Sequence, residues 1–288
     1  MIKNIKFPPI TMELYETDIQ TLQKFIKNEK KEGAFTEEYL ILYNFAEDCR
    51  YSENIQPELV RYLLPFYFKI MEQAVLYENK IAVDIYSQFN SAIFFNQKNF
   101  EKAIGEKNYQ YIMEYYINLT IKSMEVKKSG MLDWVSLFNT TVAFANDNIQ
   151  LLFQKIFEGS QKVKYSFFQY LSVLLFEESD NLLVMNEGRG FGMNDIWDFD
   201  NGYFSNDFFW SDAAVAFFDK EITREKMEAL FHEINPFLCN ILDSELVKLF
   251  CVEMNQSFTS GVFSNRKAEY LKKISSKSSE YTYWDTGF

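Results

Sequence analysis

Val163-Lys164-Tyr165-Ser166-Phe167-Phe168-Gln169-Tyr170-Leu171-Ser172-Val173-Leu174-Leu175-Phe176 is apolar at ten of its fourteen positions and has no clean polar face. A helix facing solvent keeps one polar side, so this stretch predicts a central helix surrounded by others. Its most apolar part, Phe167 to Phe176, is interrupted by Gln169 and Ser172 and is too short to span a bilayer.

Working towards the N-terminus, shorter helices are expected over Asp133–Phe144 and Ile149–Phe157, and a long one over Asn108–Lys127. In the long one Gln110, Glu114, Asn118, Lys122 and Glu125 form a narrow polar stripe at steps of three or four, so most of its surface is expected to be buried. Ile81–Phe95 reads as a further helix, and Pro57 suits the first turn of another, which Pro65 must kink or divide. Thr17 and Thr36 cap two more near the start, the first ending before Gly33. Downstream, helices are expected over Asp207–Asp219, Arg224–Ile234, Pro236–Asn255 and Asn265–Ile274. No proline occurs between Pro65 and Pro236, which suits long unbroken helices.

The reading is all-α: about eleven helices in an irregular bundle or helical-hairpin array, with one long acidic and aromatic loop around residues 181–206. A single domain over residues 1–288 is expected, with a possible subdivision at that loop and an aromatic tail over 275–288 carrying Tyr281, Tyr283, Trp284 and Phe288. Leu182-Leu183-Val184-Met185 is a candidate short strand. Asn99 to Ile104 looks like the second helix of a tetratricopeptide unit, but the other signature positions do not recur at the required period, so no repeat family follows.

Thirty Phe, 18 Tyr and four Trp supply large rings for a core, and 48% hydrophobic content argues against a mainly disordered chain. The formal charge is −12, from 41 acids against 29 bases. Nucleic-acid affinity rests on neutralising phosphates, so a net anion predicts no nucleic-acid partner; basic protein partners or simple solubility fit better. Three widely spaced cysteines, Cys49, Cys239 and Cys251, form neither a disulfide framework nor a zinc motif, and buried free thiols in a reducing compartment are expected. The opening residues Met1 to Pro9 lack the apolar core of a secretory signal, and with no membrane span in view a cytoplasmic location is expected.

Gly188 to Asp219 is the most unusual segment, with Asp195, Asp198, Asp200, Asp207, Asp212 and Asp219 and no base between Arg189 and Lys220. Rings are interleaved with the acids, Trp197 and Trp210 among them, so rings for contact area and carboxylates for steering combine in one stretch. Asp195, Trp197, Asp198, Asp200, Asp207, Trp210 and Asp212 are therefore the candidate residues for binding a basic partner. The competing reading is a connection whose rings pack on the core while its aspartates face water.

Asp198-Phe199-Asp200-Asn201-Gly202 fails as an EF-hand, because glycine falls one place early and Phe209 stands where the closing glutamate is needed. Gly188-Arg189-Gly190-Phe191-Gly192 lacks phosphate-loop spacing. His232, with Glu228 one turn before it, has neither a nucleophile elbow nor an HExxH context. No catalytic residue, metal or cofactor is assigned. Between Ser264 and Lys277 only Glu269 opposes Arg266, Lys267, Lys272, Lys273 and Lys277; this basic helix reads as a solvated face, ahead of docking on an acidic surface such as nucleic acid or folding back on the acidic segment.

These readings favour a cytoplasmic binding protein that occupies a basic partner, as an immunity protein does when it blocks a toxin. A helical scaffold for a peptide or small ligand comes second, and an enzyme with an unrecognised carboxylate site third.

Overall fold

The computed structural model describes residues 40–46, 57–77, 89–90, 92–93, 96–126, 131–145, 148–176, 181, 183 and 210–275. Among them the regular structure is entirely helical, as the periodicity requires. Ten helices have defined bounds: α1 (Pro57–Tyr77), α2 (Gln97–Ile104), α3 (Glu106–Val126), α4 (Met131–Ala145), α5 (Ile149–Phe157), α6 (Gln161–Ser172), α7 (Asp212–Glu221), α8 (Arg224–Ile241), α9 (Ser244–Ser260) and α10 (Val262–Ser275). Residues 40–46 are helical as well. No described helix is long and apolar enough to cross a membrane. The expected Asp18–Lys31 helix and most of the candidate strand lie outside the described residues; Leu183 alone of that strand is described, and it is not extended. The described residues divide into two compact units, the first ending at Thr140 and the second starting at Thr141.

In the first unit α1 packs on α2 and α3, and α2 on α3. Pro65 lies inside α1 and does not divide it. Proline removes one ladder hydrogen bond, but Leu63, Leu64, Phe66, Tyr67 and Phe68 around it are all buried, and that packing holds the helix together. The stripe expected on α3 is the face observed: Gln110, Glu114, Asn118, Lys122 and Glu125 are all exposed, while Tyr109, Ile112, Met113, Tyr116 and Ile117 are buried. Backbone carbonyls accept further hydrogen bonds from side chains of neighbouring helices. Tyr115 donates to the Phe68 carbonyl at 2.7 Å, and the Ile104 carbonyl ending α2 accepts from Arg61 at 3.3 Å and Asn108 at 2.7 Å. Tyr67 stacks on Phe89 with centroids 4.0 Å apart.

The second unit is organised around α6. Every residue from Tyr165 to Phe176 is buried, which is the central helix its composition predicts. Phe167 meets Phe153 of α5, Phe168 meets Phe231 of α8 and Phe250 of α9, and Tyr170 meets Tyr270 of α10. The surrounding helices also pack in sequence: α8 on α9, α9 on α10, α10 on α7 and α7 on α5.

Helix starts are set by short polar side chains. Ser160, Ser211, Thr223 and Asp243 each accept from a backbone N–H in the first turn of the helix they precede. Two of these caps move boundaries. The helix expected from Asp207 begins at Asp212, behind Ser211. The break expected at Pro236 falls instead at Leu242–Asp243, because Met227, Leu230, Phe231, Ile234 and Leu238 keep one buried face in phase through the proline, against α6. Gly261 adopts a left-handed conformation, with φ 82°, between α9 and α10. At its far end α6 stops at Ser172, four residues short of the expected Phe176, and the chain tightens, with the N–H groups of Leu174 and Leu175 donating three residues back.

Gly159 joins α5 to α6 where a side chain has no room. A Cβ there would lie 2.9 Å from the Lys155 carbonyl, 3.0 Å from Val163 Cγ1 and 3.1 Å from the Ile156 carbonyl. Two of these are backbone atoms that close α5 and cannot yield cheaply. Gly159→Ala is expected to destabilise the protein by about 1–3 kcal/mol, seen as a lower thermal midpoint. An unchanged midpoint would mean that the turn relaxes freely.

Candidate functional site

Of the seven candidate partner-binding residues, Asp195, Trp197, Asp198, Asp200 and Asp207 lie outside the described residues, while Trp210 and Asp212 lie within them. Trp210 is 4% exposed. Its ring sits 5.3 Å from that of Phe218 and 6.0 Å from that of Tyr270, and its backbone N–H donates to the Ile274 carbonyl at 3.2 Å. The ring therefore belongs to the core and fastens the chain just before α7. Asp212 is exposed in the first turn of α7, where a carboxylate faces the positive end of the helix dipole.

The upstream end of the segment is fastened to the same unit. Asn181 and Leu183 are each 1% exposed. Asn181 Nδ2 donates to Ser172 Oγ at 2.8 Å, and Gln169 Nε2 donates to the Leu183 carbonyl at 3.2 Å and to Tyr165 Oη at 2.8 Å. Gln169 and Ser172, the polar interruptions of the central helix, thus hold the chain that leaves it. Asn181 and Leu183 before the aspartate-rich segment and Trp210 within it are thus held in the core of the same unit.

Charge is distributed unevenly. In the second unit the described residues hold eleven acids and eleven bases, whereas residues 184–209 hold five acids and one base. In the second unit many acids have a local base: Asp219 with Lys267 at 2.7 Å, Glu228 with Arg224 and Glu245 with Lys248 at 2.8 Å each, and Glu221 with Lys226 and Glu233 with Lys164. Mostly exposed pairs of this kind contribute little stability, but they cancel the field of the helices. No protein-family model, no curated protein and no solved structure matches this chain.

The basic terminal helix is partly committed inside the unit. Arg266 Nη1 donates to the Val173 carbonyl at 3.1 Å and to the Phe176 carbonyl, and Lys267 reaches both the carboxylate and the carbonyl of Asp219. Lys272 is exposed, and Lys277 lies outside the described residues, as do the tail rings Tyr281, Tyr283, Trp284 and Phe288.

His232 is exposed on α8 beside the Phe231 ring, and Glu228, one turn before it, pairs with Arg224. Among the described residues no group of three or more His, Cys, Asp or Glu is placed to hold a metal ion. The expectation of buried thiols is corrected at Cys239, which is exposed near the end of α8 and donates to Asn235 Oδ1 at 3.3 Å. Cys251 is half-buried; burial first, and then the neighbouring Cys239, pushes its thiol above its ordinary 9.0.

One arrangement had no signal in the sequence. The hydroxyls of Tyr170 and Tyr270, each 1% exposed and a hundred residues apart, hydrogen-bond to each other in the core. Burial raises both phenols above their ordinary 10.0, and the charge of Tyr270 adds to the rise at Tyr170. A raised folded pKa favours the neutral form, so this contribution is complete below pH 10 and is lost as pH climbs towards the folded values. Replacing both tyrosines with phenylalanine is expected to flatten the loss of stability between about pH 7 and pH 10.5, measured by urea unfolding at the two values. An equal decline in parent and variant would assign alkaline sensitivity elsewhere.

Proposed function

We propose that this protein is a non-enzymatic, cytoplasmic binding protein that occupies or inhibits a basic protein partner, with the acidic and aromatic segment between Leu183 and α7 as the contact. The observation that carries this reading is the double anchorage. The stretch richest in unbalanced aspartates is flanked in the chain by two core residues, Leu183 before it and Trp210 at its end, while the helices of the same unit largely neutralise their own charges. A segment fastened at both ends loses less conformational freedom on binding than a free tail, and its aspartates supply the steering that brings a basic surface to it. The partner is a protein rather than a nucleic acid, because the net charge is negative. Asp195, Asp198, Asp200, Asp207 and Asp212 supply charge, Trp197 supplies ring contact, and Trp210 holds the segment in place.

The test is capture of the tagged protein's partner from a lysate of its own source at low and moderate salt. A single basic protein is expected in near-stoichiometric amount, its affinity lowered about tenfold or more by the triple reversal Asp195→Lys, Asp198→Lys, Asp200→Lys, with the thermal midpoint little changed. Unchanged affinity in a folded variant would remove this segment as the contact. Recovery of no reproducible partner would displace the reading in favour of a ligand-binding scaffold, to be sought as a ligand-dependent rise in melting temperature.

A further inference from the structure

We draw no further inference here: the strongest candidate, the exposed apolar face of α9 carrying Leu249 and Val252, carries nothing because nothing in the structure shows what covers it.

Discussion

Phe168→Ala is expected to lower the free energy of unfolding by about 3–5 kcal/mol. Phe168 is fully buried at the junction of three helices: its ring lies 5.7 Å from Phe231 of α8 and 5.9 Å from Phe250 of α9, and those two rings stack 5.4 Å apart. Truncation removes the transfer free energy of the ring and leaves a cavity. The neighbouring rings cannot collapse into it without moving helix backbones. The measurement is urea unfolding followed by tryptophan fluorescence, because Trp210 reports on this unit through its packing against Phe218 and Tyr270. Phe168→Leu keeps most of the volume and is expected to lose only about 1–1.5 kcal/mol, which preserves the comparison should the alanine variant fail to fold. A loss below about 1 kcal/mol for alanine would mean that α6 does not organise the unit.

That α6 organises the unit was legible because the signal is local. A run that is apolar all round has one stable environment, and a stripe such as Gln110, Glu114, Asn118, Lys122 and Glu125 has one solvated side. Both follow from helical periodicity without reference to distant residues. Pro236 misled for the complementary reason. Proline costs about 3 kcal/mol in an isolated helix, but Leu230, Phe231, Ile234 and Leu238 gain more from staying in phase in the core. Asp243, which caps α9, was the local sign of the actual boundary.

The candidate site was legible as composition and not as geometry. Trp210 stands among aspartates and fits either partner contact or packing on the core; the packing it makes involves Tyr270, sixty residues away, and no periodicity links the two. Cys239 shows the same limit in the other direction, since a thiol usually found inside is exposed here near a helix end. The basic stretch on α10 was readable as charge, whereas the target of Arg266 was not: the carbonyls it reaches lie some ninety residues earlier in the chain.

Arg266 is accordingly the side chain whose loss should reveal most about how the central helix ends. The last carbonyls of a helix have no partner within it, and water is excluded here because Leu171 to Phe176 are all buried. A buried carbonyl left unpaired costs about 1–3 kcal/mol. Arg266 serves two buried carbonyls of the tight turn that follows α6, those of Val173 and Phe176, and places its charge just beyond the negative end of the α6 dipole; Ser257 serves a third carbonyl of that turn, donating to Leu175 at 2.7 Å. Arg266→Met, which keeps the apolar stem, is expected to destabilise the protein by about 2–3 kcal/mol, and Arg266→Lys by less, since an ammonium satisfies the same acceptors with a shorter reach. Lys267→Met on the same helix is the control. It removes the pair with the Asp219 carboxylate, whose side chain is 59% exposed, and the bond to the Asp219 carbonyl, which lies at the surface rather than in the core, and should change stability by about 1 kcal/mol or less. Urea unfolding of the three variants separates the explanations. A methionine loss well above that of the control, with lysine between, identifies capping as the source. Equal losses at both positions would assign the effect to helix charge in general, because no buried carbonyl would then distinguish Arg266 from its neighbour.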